Sequence, residues 1–170
     1  MREAISKAMK AALKNKDQTA LSAIRLISAA LKDRDIAART ADSPDGINDE
    51  EILSMLQTMI KQRNESAKMY LQGNREDLAN KEKDEINVIQ QFLPAQLSEK
   101  EITNAIAKAI KSNKASSIKD MGSIMTDLKK NYAGQMDFGL VSKQVKESLM
   151  KLWKSYSSLI YKTYLRRKSL

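Results

Sequence analysis

Apolar residues recur at intervals of three and four along nearly the whole chain, and the two-residue alternation of a half-buried strand is absent. The pattern predicts helices throughout. A first helix is expected over residues 2 to 15, and Asp17 is placed to cap a second with Leu21, Ile24, Ile27 and Leu31 on one face. The stretch Thr40 to Asn48, containing Ser43-Pro44-Asp45-Gly46, reads as a loop. Asn48 or Asp49 then opens a long third helix with the stripe Ile52, Leu56, Met59, Ala67 and Tyr70, and Gly73 stands where a left-handed terminator belongs. Asn74 is expected to cap a fourth helix that has Arg75, Glu76 and Asp77 in its first turn. That helix runs through Leu78, Ile86, Ile89 and Phe92 and must end before Pro94, whose ring cannot continue it.

Beyond Pro94, Ser98 and Glu101 form the S-x-x-E capping-box pattern ahead of Ile102, Ile106 and Ile110, the start of a fresh helix. Ser116 or Ser117 opens a sixth through Met121, Ile124 and Leu128, and Asp137 caps a seventh that begins near Leu140. The fold class is therefore all-α: a helical bundle of about four helices followed by a three-helix subdomain, with short loops favouring antiparallel neighbours. The expected divisions are residues 1–94, residues 95–149 and a C-terminal extension over 150–170. Gly122 sits inside the sixth helix, where glycine costs about 1 kcal/mol relative to alanine. A helix crossing that tolerates no side chain is the expectation there, with a ligand contact as the alternative. Arg25, among Leu21, Ile24, Leu26 and Ile27, is expected to pair with a carboxylate of the third or fourth helix. Met9, Met55, Met59, Met121 and Met125 fall at helical spacing and read as adaptable core, not as a cofactor box.

The chemistry is bounded by what the chain lacks. Its 170 residues include no Cys and no His, which removes disulfides, thiolate nucleophiles, Cys-based zinc sites and the commonest general base. Catalysis would have to rest on carboxylates, Lys, Tyr or Ser. Asp120 and Asp127 share a helical face without a third magnesium-type ligand, and no glycine is followed by the G-K-[ST] of a phosphate loop, so neither metal nor cofactor is expected. Glu76 and Asp77 complement a helix dipole, and Glu82 and Glu85, beside Lys81 and Lys83, read as a solvated face. Ser116-Ser117-Ile118-Lys119 contains S-x-x-K but none of its supporting motifs, and Ser116 fits a cap better. No catalytic residue is assigned, and the isolated chain is expected not to be a catalyst. No apolar run approaches the length of a membrane span, and the opening MREAISKAMK is amphipathic, so a cytoplasmic protein is expected.

Charge adds a direction. Thirty Lys and Arg against 21 Asp and Glu give a formal net charge of +9, pointing toward a polyanion. The excess is uneven: residues 150–170 hold six of those cations and no acid, leaving residues 1–149 with 24 against all 21 acids. In that extension Leu149, Leu152, Tyr156, Ile160 and Thr163 continue a helical stripe with Trp153 and Tyr164 beside it. Peripheral contact with an anionic membrane, docking in a partner groove, contact with RNA phosphate and a poorly ordered lineage-specific tail all remain open for it.

Several segments together resemble one family. They are Ala8-Met9-Lys10, Lys16-Asp17, Ile24-Arg25-Leu26-Ile27, Lys61-Gln62-Arg63, Glu65-Ser66-Ala67, Gly73 through Ala79 and Lys81-Glu82. Phe92 through Leu97, Lys119 through Met125 and Tyr132 through Asp137 follow in the same order. Over residues 1–149 the chain resembles the GatB/YqeY proteins, most closely the stand-alone YqeY-like members, which usually end near Leu149. The resemblance implies an all-helical protein whose last three helices look like the tail domain of the B subunit of glutamyl/aspartyl-tRNA amidotransferase, a tail associated with tRNA. It makes tRNA the expected partner, with amidotransferase subunits or another protein as further partners. The residues expected to meet RNA are Lys119, Lys129, Lys130, Lys143 and Lys146, around a turn where Gln135 could present a backbone N–H to phosphate. Lys61, Arg63 and Lys68 line a second cationic stretch, while Tyr132 and Phe138 read as packing, so recognition by shape and backbone is favoured over base stacking. A helical protein-interaction adaptor is the alternative. Third comes an amidotransferase-like activity, a carbon-nitrogen ligase with glutamine as amido-N-donor, which is the label the family carries.

Overall fold

The computed structural model describes residues 1–39 and 46–152. Its elements are α1 (Arg2–Asn15), α2 (Gln18–Ala38), α3 (Asp49–Gln72), α4 (Glu76–Gln90), α5 (Glu99–Ser112), a 3₁₀ turn (Ile118–Asp120) and α6 (Met121–Asn131). Residues 138–152 form a further helix, α7. There is no strand among the described residues, so the fold is all-α. Most of the Ser43-Pro44-Asp45-Gly46 loop, and the stripe expected beyond Leu152, lie outside the described residues. By compactness the chain divides into two units, Met1–Gln96 and Leu97–Leu170.

In the first unit the expected caps set the helix ends. Asp17 accepts a hydrogen bond from the Ala20 N–H at 2.9 Å. Asn48 and Glu51 exchange bonds of 2.9 Å in a capping box that fixes the start of α3. Its core takes Ile5 and Ala12 from α1, Leu21, Ala23, Ile24, Ile27 and Leu31 from α2, Ile52, Met55, Leu56 and Met59 from α3, and Val88 and Ile89 from α4. α3 packs most extensively on α4, and α2 on both α1 and α4. The methionines divide as core plasticity requires, Met55 and Met59 being buried and Met9 packed at the edge.

A clamp closes the other end of this unit. The Arg2 guanidinium donates to both Asp35 oxygens, at 2.6 and 2.7 Å, and to the Ile47 carbonyl at 2.7 Å. The Ile47 N–H donates to Asp35 at 3.0 Å, so the start of α1, the end of α2 and the entry to α3 meet at one carboxylate. The hydrogen bond from Arg2 holds the Asp35 carboxyl below its usual range.

The α3–α4 junction differs from the expectation. Gly73 keeps an ordinary φ of −87°, and Asn74 instead takes the left-handed conformation at φ 55°. Asn74 donates to the Leu71 carbonyl at 3.1 Å and Arg75 to that of Tyr70 at 2.8 Å, the two bonds of a Schellman terminator. Asparagine tolerates that conformation through its short polar side chain. With Asn74 closing α3, Arg75 becomes the first residue of the α4 cap and pairs with Asp77 at 3.0 Å.

The second unit has its own core: Ala105, Ile106 and Ala109 of α5, Ile124 and Leu128 of α6, Met136, and Val141, Val145 and Leu149 of α7. Met121 and Met125 pack against its edge. Ser98 and Glu101 form the expected capping box, with the Ser98 N–H donating to Glu101 at 2.8 Å. Asp137 accepts from the Gly139 N–H at 2.7 Å, starting α7 close to the position expected. Ser117, not Ser116, is the cap residue before the 3₁₀ turn. Asp120 reaches back to accept both the Ser116 and the Ser117 N–H at 2.9 Å, which lowers its carboxyl pKa.

Gly122 does not mark a close crossing. It is exposed, and a Cβ built on it would meet nothing within 4 Å. The reason is angular: two residues before Ile124 lies about 200° around the helix, on the face opposite the core.

Candidate functional site

Two places bring chemistry-bearing side chains together, one in each unit. In the first unit, Arg63 lies on the apolar stripe of α3, between Met59 and Ala67. Glu82 and Glu85 lie on the facing stripe of α4 among Leu78, Ile86 and Ile89. Arg63 Nε donates to Glu85 at 3.0 Å, and one outer nitrogen reaches the Met59 carbonyl at 3.4 Å. The Glu82 carboxylate stands 4.0 Å from the same Nε, beyond hydrogen-bond range. Side-chain exposure is only 12% for Arg63 and 11% for Glu85, so this is a desolvated pair.

The pair forms the floor of a cleft of about 360 Å³. Leu26, Tyr70 and Leu78 add apolar surface to its lining, and Gln62, Ser66 and Lys81 add polar groups. Most of these positions belong to the segments that carry the family resemblance, which the fold gathers from α2, α3 and α4 onto one concavity.

This site corrects three expectations. Glu82 and Glu85 are not a solvated face, because their spacing of three places both toward α3, while Lys81 is exposed at the cleft's edge and Lys83 is exposed outside it. Arg63 does not join Lys61 and Lys68 as an exposed cation; it is withdrawn into the pair. Arg25 is exposed and has no carboxylate partner among the described residues, since it points one position away from the Leu21, Ile24 and Ile27 face. The signal that would have found the true pair was a charge interrupting the apolar stripe of α3 with its complement interrupting the stripe of α4.

In the second unit, Lys119, Lys129, Lys130, Lys143 and Lys146 are all exposed. Lys129 and Lys130 occupy the last turn of α6, just before the Tyr132–Met136 turn. Lys143 and Lys146 are one turn apart on α7. Lys119 stands at the other end of α6, about 15 Å along the axis from Lys129 at 1.5 Å per residue, so the structure does not bring it to the same turn. Gln135 is half-buried; its N–H donates to the Tyr132 carbonyl at 3.1 Å, and its own carbonyl accepts from the Leu97 N–H at 2.9 Å. Its backbone donor is thus engaged within the turn and is not offered to a phosphate.

The acids of this unit are occupied differently from its lysines. Glu101, Asp120 and Asp137 accept from backbone N–H groups, and Asp127 accepts from Asn131 at 2.7 Å and Asn113 at 3.3 Å. The ion pairs among the described residues all lie in Met1–Gln96. The described lysines of the second unit therefore have no acidic partner among the described residues. Ser116, exposed, is held through its backbone by Asp120, and its hydroxyl meets no base among the described residues. Among the described residues no three acidic side chains converge as metal ligands.

Comparison with known proteins places the chain among relatives. The curated protein named altered inheritance of mitochondria protein 41, mitochondrial, of Candida glabrata is 28% identical over 145 residues, 85% of this chain and 75% of that protein. The protein of the same name from Vanderwaltozyma polyspora is 29% identical over 158 residues, 92% of this chain and 75% of that one. The family described as Yqey-like protein matches residues 2–149, nearly the whole of both helical units up to the basic extension, and the chain belongs to that family.

Proposed function

We propose that this protein is an RNA-binding accessory module related to tRNA amidotransferase, with tRNA as the RNA and Leu97–Leu170 as the contacting unit. One observation carries the reading. Met1–Gln96 holds 15 cations and 15 acids, so the whole formal excess of +9 belongs to Leu97–Leu170. Within that unit four of the six carboxylates, Glu101, Asp120, Asp127 and Asp137, serve as caps and side-chain acceptors, while the described lysines form no ion pair among the described residues. Unpaired surface lysines release counterions when they meet phosphate, and this supplies the sequence-independent part of nucleic-acid affinity. Lys129, Lys130, Lys143 and Lys146 are the contacts we assign, with Lys119 as an outlying one and Gln135 shaping the turn from within.

The test is tRNA binding by the full chain across a salt series, with Lys129→Glu and Lys130→Glu together. Each lost phosphate contact lowers the salt slope by about one, so the double reversal should flatten it by about two. An unchanged slope and affinity overturn the assignment. The adaptor reading has its own support in the neutral first unit, where Ile36 is 57% and Met69 63% exposed. It predicts a complex that survives RNase and high salt. No helix among the described residues is long and apolar enough to cross a membrane. The compartment we propose is the cytoplasm; the word mitochondrial belongs to the names of the two yeast relatives.

A further inference from the structure

The geometry points to the cleft of Met1–Gln96 as a binding site for a small zwitterion carrying a carboxylate and an ammonium, an apolar α-amino acid being the simplest member of that class. The cleft's volume of about 360 Å³ suits a small molecule. Its charges are balanced, Arg63 and Lys81 against Glu82 and Glu85, but they are not mutually satisfied. Of the Arg63 donors, Nε serves Glu85 and one outer nitrogen serves Met59; the second outer nitrogen has no hydrogen-bond partner among the described residues. No buried side-chain nitrogen or oxygen among the described residues lacks a partner, so that nitrogen is open to solvent, and Arg63 lines the cleft. Among the described residues Glu82 accepts no hydrogen bond, and no carboxylate lies within 4.0 Å of the Lys81 ammonium.

These ends select the ligand class. A lone anion would meet Arg63 and Lys81 but also face Glu82 and Glu85, and a lone cation would meet the reverse. A zwitterion answers both: its carboxylate lies along the outer edge of the Arg63 guanidinium, which presents parallel N–H groups suited to two oxygens, and its ammonium meets Glu82. Leu26, Leu78 and the Tyr70 ring then receive an apolar side chain. The desolvated pair itself argues for a task beyond folding, because an apolar pair of similar volume would serve stability as well or better.

The experiment titrates the full chain with L-leucine, N-acetyl-L-leucine and L-leucine amide, reading the methyl NMR signals of Leu26 and Leu78. L-Leucine should give saturable shifts, and each blocked form, having lost one charge, should bind weaker by at least about tenfold. Glu82→Gln should weaken leucine binding by a similar factor while lowering the melting temperature by at most a few degrees, since the Glu85 hydrogen bond to Arg63 stays in place. Lys81→Met, at the exposed mouth, provides a second variant with the same expected direction. Absence of saturation up to about 10 mM, equal binding of the blocked forms, or leucine affinity unaltered in both variants overturns the inference.

Discussion

Replacing Glu85 by alanine strips its main partner from a guanidinium that is only 12% exposed. Breaking a buried ion pair from one side typically costs about 3 to 5 kcal/mol, because the remaining charge stays desolvated and uncompensated. Two features of this site pull the cost toward the lower end. Glu82 already stands 4.0 Å from Arg63 Nε and needs only a side-chain rotation to take the vacated place. The second outer nitrogen of Arg63 is also open to solvent, so water reaches the guanidinium. The expected loss for Glu85→Ala is therefore about 3 kcal/mol, rising toward about 5 kcal/mol when Glu82→Gln is added. Against a typical total of about 5 to 15 kcal/mol, either is a large share. The single tryptophan, Trp153, is not in this unit, so the readout is hydrogen exchange of α3 and α4 amides across a urea series. A loss below about 1 kcal/mol would refute the assigned cost of desolvating Arg63, and a double variant no worse than the single would refute the reasoning that Glu82 is the reserve partner. Arg63→Met combined with Glu85→Leu should recover most of the loss, since an apolar pair of similar volume is often neutral or better.

Two glycine substitutions should move stability in opposite directions. Gly122→Ala adds a methyl in open space on a helix and should stabilise by about 0.5 to 1 kcal/mol, raising the melting temperature by a few degrees; destabilisation would mean something unseen packs there. Gly46→Ala should cost about 2 kcal/mol or more, because Gly46 has φ +81° and its added Cβ would collide with the Asp35 carboxylate; a neutral result in urea unfolding would refute the clamp's rigidity. Acid should weaken the fold. Arg2 at Asp35, Ser98 at Glu101 and the Ser116 N–H at Asp120 lower these carboxyl pKa values in the folded state. The unfolded chain therefore takes up protons first, so the stability these groups add is present above about pH 4 to 5 and is lost as pH falls through the folded values. Urea midpoints that stay level from neutral pH down to about pH 3 would contradict this, and Asp120→Asn should shrink the acid loss.

Periodicity and caps were legible in the sequence because each is a local rule. Asp17, Ser98 with Glu101, and Asp137 start helices where their side chains can meet free backbone donors, and that reach spans only three residues. Terminators were harder: Lys16, Asn74 and Lys114 all adopt left-handed conformations that the usual preference assigns to glycine. The cleft was harder still, since Arg63 and Glu85 are 22 positions apart and meet only when α3 and α4 pack. A charged residue on an apolar stripe was visible, but its partner's register was not. Gly122 misled for the complementary reason, as its cost in a helix says that something tolerates glycine there and not which face it occupies.

The corner between α1 and α2 has a kinetic meaning. The Asp17 N–H donates to the Ala12 carbonyl at 3.0 Å, closing α1 behind the left-handed Lys16, while its carboxylate accepts the Ala20 N–H and opens α2. One residue thus finishes one helix and begins the next, leaving no slack in which either end can fray alone. Contacts this local form early and cheaply in chain entropy. The α1–α2 pair should accordingly open and close as a single unit, with amides on both sides of Asp17 exchanging at a common rate, and an added residue at this corner should unzip two helices instead of lengthening a loop.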